Sequence, residues 1–107
     1  MRFERNSDIT KNVKMIEWMK KEIIISVGDL FDLMFRGTKP IDESLQDTLA
    51  NIITITYLLA QRLGISFRDI DYKINEKIKQ GIEEDHSVER WYGDFTNLQN
   101  HMKKREW

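Results

Sequence analysis

Apolar positions recur along the chain at helical spacing, and no stretch alternates with the two-residue period of a strand. Ser7 or Asp8 can cap a first helix carrying Ile9, Val13, Ile16 and Met19 on one side. Beyond Ile23, the residues Val27, Leu30, Phe31, Met34 and Phe35 follow i, i+3, i+4, i+7 and i+8. That is a core-facing stripe, which Gly37 can end. The spacing leaves open whether Ile23–Ile25 bend or continue one long helix.

Pro40, Asp42 and Glu43 suit the first turn of a second helix, predicted over Pro40–Leu63. Its stripe is Leu45, Leu49, Ile52, Ile53, Thr56, Leu59, Ala60 and Leu63. Ile55 and Leu58 widen the apolar arc, so this is the expected central helix, buried on two sides. Gly64 can take the left-handed position that stops it. Ser66 then serves as N-cap of a third helix, with Asp69 at N3 and Ile65 packing on Ile70. Ile70, Ile74 and Ile78 give that helix a single apolar side ending near Gly81. A short helical turn over Ser87–Gly93 and a last helix over Asp94–Lys104, using Phe95, Leu98 and Met102, complete the reading.

Five Gly and one Pro in 107 residues make the breaks sparse, and one domain over 1–107 is expected. The fold class is all-α, a four-helix-type bundle. A chain this short buries a modest share of its surface, so completion as a dimer or tetramer is expected. Seventeen Lys plus Arg against 18 Asp plus Glu leave a net charge of −1, which provides no general field for nucleic acid. The absence of Cys excludes a disulfide scaffold, Cys-ligated zinc and thiol catalysis. The start lacks the apolar core of a signal peptide, and the run around Ile52–Ala60 is too short to cross a bilayer; a cytoplasmic protein is expected. No phosphate loop, HExxH or nucleophile elbow occurs.

Gly28-Asp29-Leu30, then Leu49-Ala50-x-Ile52-Ile53-x-x-x-Tyr57-Leu58-Leu59-Ala60, the Leu63-Gly64-Ile65-Ser66 corner and a Lys-rich helix follow one another in this order. Over residues 21–81 this order resembles the MazG-like branch of the all-α nucleoside triphosphate pyrophosphohydrolases, with 82–107 as a C-terminal helical extension. The resemblance implies a Glu-Glu-x-Gly-Glu-Leu motif on one helix and Glu-x-x-Asp on the next, together holding Mg²⁺ against a triphosphate. Acids three or four residues apart project from one side of a helix, and two such helices can surround hard cations with oxygen ligands.

Carried over by position, the first motif falls on Ile25, Ser26 and Asp29, and the second on Thr48 and Asn51. Only Asp29 remains acidic. Asp32 is the nearest acid that could join it. Asp47 is a weaker substitute for Thr48, because one residue turns a side chain by about 100°. The expectation is a pyrophosphohydrolase relative with an eroded Mg²⁺ site, catalysis weak or lost, and residual nucleotide binding to which Lys73, Asn75 and Lys77 could contribute.

Each of these residues also has a plainer role. Asp29 and Asp32 can be a solvated helix face, Thr48 and Asn51 small polar groups hydrogen-bonded within the bundle, and the Lys residues ordinary helix surface. His86 and His101 lack a paired ligand at metal spacing. Trp91, Tyr92 and Phe95 could stack on a base, or pack the C-terminal segment onto the bundle or a neighbouring subunit. Two alternatives stand beside the main reading: a non-enzymatic oligomeric interaction module, and an active hydrolase in which Asp29, Asp32 and an acid from another helix or subunit converge.

Overall fold

The structure, a computed structural model, describes the backbone of residues 2–105 and the side chains of residues 8–105. It is all-α: α1 (Arg2–Phe35), α2 (Glu43–Arg62), α3 (Phe67–Glu83), α4 (Ser87–Tyr92) and α5 (Asp94–Lys104), with no strand among the described residues. No helix there is long and apolar enough to cross a membrane. The chain falls into two compact units, one up to Phe67 and one from Arg68 onward.

In the first unit α1 runs unbroken for 34 residues, so Ser7 and Asp8 lie inside the helix instead of capping it, and Ile23–Ile25 do not bend. The run contains no Pro, and its one Gly, Gly28, is accommodated in the helix. Gly37 ends the helix in a left-handed conformation, φ 73°. Its N–H donates to Met34 O (3.0 Å) and that of Thr38 to Leu33 O (3.0 Å), the paired bonds of a Schellman stop. Gly64, φ 87°, ends α2 the same way, with Gly64 N–H on Gln61 O and Ile65 N–H on Ala60 O.

The start of α2 differs from the expectation. Pro40 stands in a turn, and the helix opens at Glu43 behind an Asp42 cap, whose carboxylate accepts from Ser44 N–H (2.9 Å) and Ser44 Oγ (2.6 Å). A side-chain acceptor satisfies orphan first-turn donors, which Pro at the first position cannot do.

Two bonds fix how α1 and α2 pair. Asn12 Nδ2 donates to Arg62 O (3.3 Å), and Asn51 Nδ2 donates to Ser26 Oγ (2.8 Å), so the helices form an antiparallel hairpin. Its seam holds Met19, Ser26 and Ile55 as buried residues, with Ile16, Ile23, Leu30, Leu33, Ile52 and Leu59 half-buried. The expected stripe on the C-terminal half of α1 is therefore only partly inward. Val27 and Leu30 are half-buried, whereas Phe31, Met34 and Phe35 are exposed, Phe35 to 92%. Leu49 and Ile53 on α2 are also exposed, so within this chain the helix is not covered on two sides. Two helices bury one stripe each, and an arc wider than that stripe stays in solvent.

In the second unit Ile78 is buried, with Ile70 and Ile74 half-buried beside it. The helix does not stop at Gly81. It continues to Glu83, because Gly81 is needed inside it: a Cβ there would stand 2.6–2.7 Å from the Phe95 ring. The left-handed stop falls instead on Asp85, φ 51°, with Asp85 N–H on Ile82 O and His86 N–H on Gly81 O. His86 caps α4 through Nδ1, which accepts from Val88 N–H (3.1 Å), and its ring meets Phe95 edge-on at 5.6 Å. Gly93 joins α4 to α5, and Glu89 clamps the joint by accepting from Thr96 N–H (3.0 Å) and the Thr96 hydroxyl. Phe95 thus packs as the aromatic cluster suggested, while Trp91 and Tyr92 meet each other edge-on and stay exposed.

Candidate functional site

The positions singled out on α1 and α2 lie along the hairpin seam or beside it. Ser26 is buried, 5% exposed, and faces α2. Ile25, one residue back, is turned off the seam and 44% exposed. On α2, Thr48 is half-buried and its hydroxyl donates to Ser44 O (2.7 Å), a bond back into its own helix. Asn51 reaches across to Ser26. The structure thus joins two of the four neutral motif positions in one bond between helices.

This pairing also fixes the register of the hairpin. Ser26 belongs to the first motif by position and Asn51 to the second, and the fold sets them face to face at 2.8 Å. Sequence alone could suggest that both are satisfied within a bundle, yet it could not name them as partners. That requires the rotational setting of α1, whose apolar side chains point in several directions.

The two acids sit differently. Asp29 is exposed, about 60° around α1 from Ser26. Asp32 is about 120° from Ser26 by the same geometry, also exposed, and forms a 2.5 Å ion pair with Arg36. Among the described residues no three or more His, Cys, Asp or Glu side chains gather so as to hold a metal ion. At the seam the donor set is one hydroxyl and one amide, both neutral and bonded to each other. Mg²⁺ is a hard cation normally held through carboxylates and phosphate oxygens, and this set does not fit it.

On α3, Lys73, Asn75 and Lys77 are all exposed, but they do not share a side. Two residues of helix turn a side chain by about 200°, so Asn75 points nearly opposite to both lysines. Lys73 is neutralised in part by Glu76 at 3.2 Å, which holds the Glu76 carboxyl below the usual carboxylate range. His86 and His101 are exposed, and His86 is occupied as a helix cap.

A sequence model of the MazG-like family matches residues 9–95. Comparison with curated proteins and with solved structures finds no match.

Proposed function

The chain belongs to the MazG-like family, and from that premise we propose that it is a nucleoside triphosphate pyrophosphohydrolase relative in which the Mg²⁺ site has lost all its acids but Asp29 and hydrolysis is lost or severely weakened. The observation that carries this reading is the Asn51–Ser26 hydrogen bond. Attack of water on a phosphorus within a triphosphate needs cations that neutralise the phosphate oxygens and lower the pKa of the attacking water. Cations of that kind are held by clustered carboxylates, and their affinity falls steeply as those are replaced by neutral groups. Here the facing motif positions carry a hydroxyl and an amide that satisfy each other and leave no charge for a metal to balance.

The activity test is direct. The purified chain, incubated with Mg²⁺ and each nucleoside triphosphate, is expected to release no pyrophosphate above a protein-free control. Turnover within the ordinary enzymatic range, roughly 1 to 1,000 per second, and abolished by Asp29→Ala, would overturn the proposal. Titration calorimetry with a non-hydrolysable triphosphate in EDTA then asks whether nucleotide binding survives without catalysis.

A second reading, an oligomeric interaction module with no catalysis, is supported by the apolar side chains that α1 leaves in solvent: Ile24 at 72%, Phe31 at 64% and Phe35 at 92% exposed. A second copy of the chain is the partner this reading takes. Light scattering at micromolar concentration is expected to give the mass of a dimer or tetramer, and a monomer would remove this support. A working hydrolase with relocated acids is less well supported, since Asp32 is engaged by Arg36.

A further inference from the structure

A groove of about 520 Å³ lies between α3 and α5 of the second unit, and we infer that it is a binding site for a small, multiply charged anion of the phosphate or diphosphate ester class. Followed back from Gly81 and forward from Phe95, the point of close contact, α3 supplies Asn75 and Lys79 while α5 supplies Gln99, Met102 and Lys103. Arg105, just past the end of α5, completes one wall.

Charge is what distinguishes this groove. Among the described residues, three of its lining side chains are cationic and one, Asp71, is acidic, in a chain whose net charge is −1. Among the described residues neither Lys79 nor Lys103 has an ion-pair partner. Arg105 Nη1 donates to Met102 Sδ (3.3 Å), a weak acceptor, and the guanidinium has no ion-pair partner among the described residues. Cations held around one groove repel each other, and an oxyanion placed among them relieves that repulsion while accepting their hydrogen bonds.

Basic residues in the last turn of α5 also oppose its dipole, which accounts for Lys103 and Lys104 as ordinary helix chemistry. That role does not account for Lys79 and Asn75 on the facing helix. The amides of Asn75 and Gln99 add neutral N–H donors, and Met102 offers an apolar surface to the organic part of an ester. The volume falls within the roughly 300–1,000 Å³ of small-molecule sites, more than a bare phosphate fills. Lys73 and Lys77 point to the other side of α3, so this groove is not the face on which those two lysines would meet a phosphate. The inference goes beyond the reading of α1 and α2 and stands or falls without it, since the groove uses no residue of the first unit.

The test titrates the full chain with inorganic pyrophosphate and with ADP in EDTA at low salt, following backbone amides by NMR and heats by calorimetry. Shifts are expected at residues 71–79 and 99–105, and they should weaken as salt is raised. Lys79→Gln with Lys103→Gln should weaken binding about tenfold, equivalent to about 1.4 kcal/mol. Lys73→Gln with Lys77→Gln should leave it within about twofold, and Asp71→Asn should tighten it. Far-UV circular dichroism verifies that each variant folds. Absence of shifts in both helices, shifts confined to α1 and α2, or equal losses from the two lysine pairs would overturn the inference.

Discussion

Breaking the Asn51–Ser26 bond from each side, and from both, measures what the hairpin gains from it. Asn51→Ala removes the Nδ2 donor that reaches Ser26 Oγ at 2.8 Å, and Ser26 is only 5% exposed, so water replaces that partner poorly. Orphaning a buried hydroxyl costs about 1–3 kcal/mol. Ser26 can recover part of this by turning its hydroxyl to the carbonyl of Glu22 one turn back, which places the expected loss near 1–1.5 kcal/mol. Ser26→Ala leaves Asn51 free to return to water, and should cost about 0.5–1 kcal/mol. The double variant has neither partner to orphan, so its loss should fall short of the sum by about 1 kcal/mol. Urea unfolding followed by far-UV circular dichroism provides all four stabilities. Additivity within about 0.3 kcal/mol would show that the bond carries no energy across the seam, and the register argument for the site would lose its support.

The remaining predictions concern the packing, the acids and the caps. Gly81→Ala should destabilise the second unit by up to about 2 kcal/mol: a helical Ala gains about 1 kcal/mol over Gly, but forcing a Cβ against the Phe95 ring costs about 1–3 kcal/mol. Adding Phe95→Leu should recover part of the loss, and a single variant more stable than wild type would refute the contact. Placing acids at the four neutral positions, Ile25→Glu, Ser26→Glu, Thr48→Glu and Asn51→Asp, should lower the melting temperature in EDTA through repulsion. Mg²⁺ should then raise it, whereas the wild-type chain should not respond; an equal response in both would count against the lost-acid reading. Bonds from Ser44 to Asp42 and from Thr96 to Glu89 hold both carboxyls below their ordinary values. Their contribution is therefore complete above the unfolded values near 4 and is lost as pH falls through the lower folded ones. Asp42→Asn and Glu89→Gln should flatten the acid limb of a pH–stability profile, and unchanged limbs would exclude those two caps as its source.

Local chemistry was the legible part of the fold. The stops at Gly37 and Gly64, the restart behind Ser66 and the last helix over Asp94–Lys104 each depend on a few neighbouring residues whose preferences are strong. The differences arose where a distant contact overrode a local preference, at Gly81, or where one local signal outweighed another, at Pro40 and at Ser7 and Asp8. Gly81 looks like a terminator, but it serves Phe95, and the left-handed strain moves to Asp85. Pro40 looks like a first helical residue, yet Asp42 supplies the stronger cap. Ser7 and Asp8 look like caps but sit inside a helix with nothing to break it.

The candidate site was harder to read for the same reason. Helical periodicity identifies which residues share a side, but α1 carries apolar side chains on several sides, so periodicity alone does not choose the seam. Phe31, Met34 and Phe35 fit a core stripe by spacing and remain in solvent, while Ser26, a small polar residue, takes the buried position opposite Asn51. Clustered acids at such a seam would repel one another and need a cation before the helices could close. A hydroxyl and an amide need none, because each supplies the partner the other requires. On the proposed reading, exchanging metal-binding acids for this pair would also free the hairpin from dependence on a metal, which would let the scaffold persist after hydrolysis was lost.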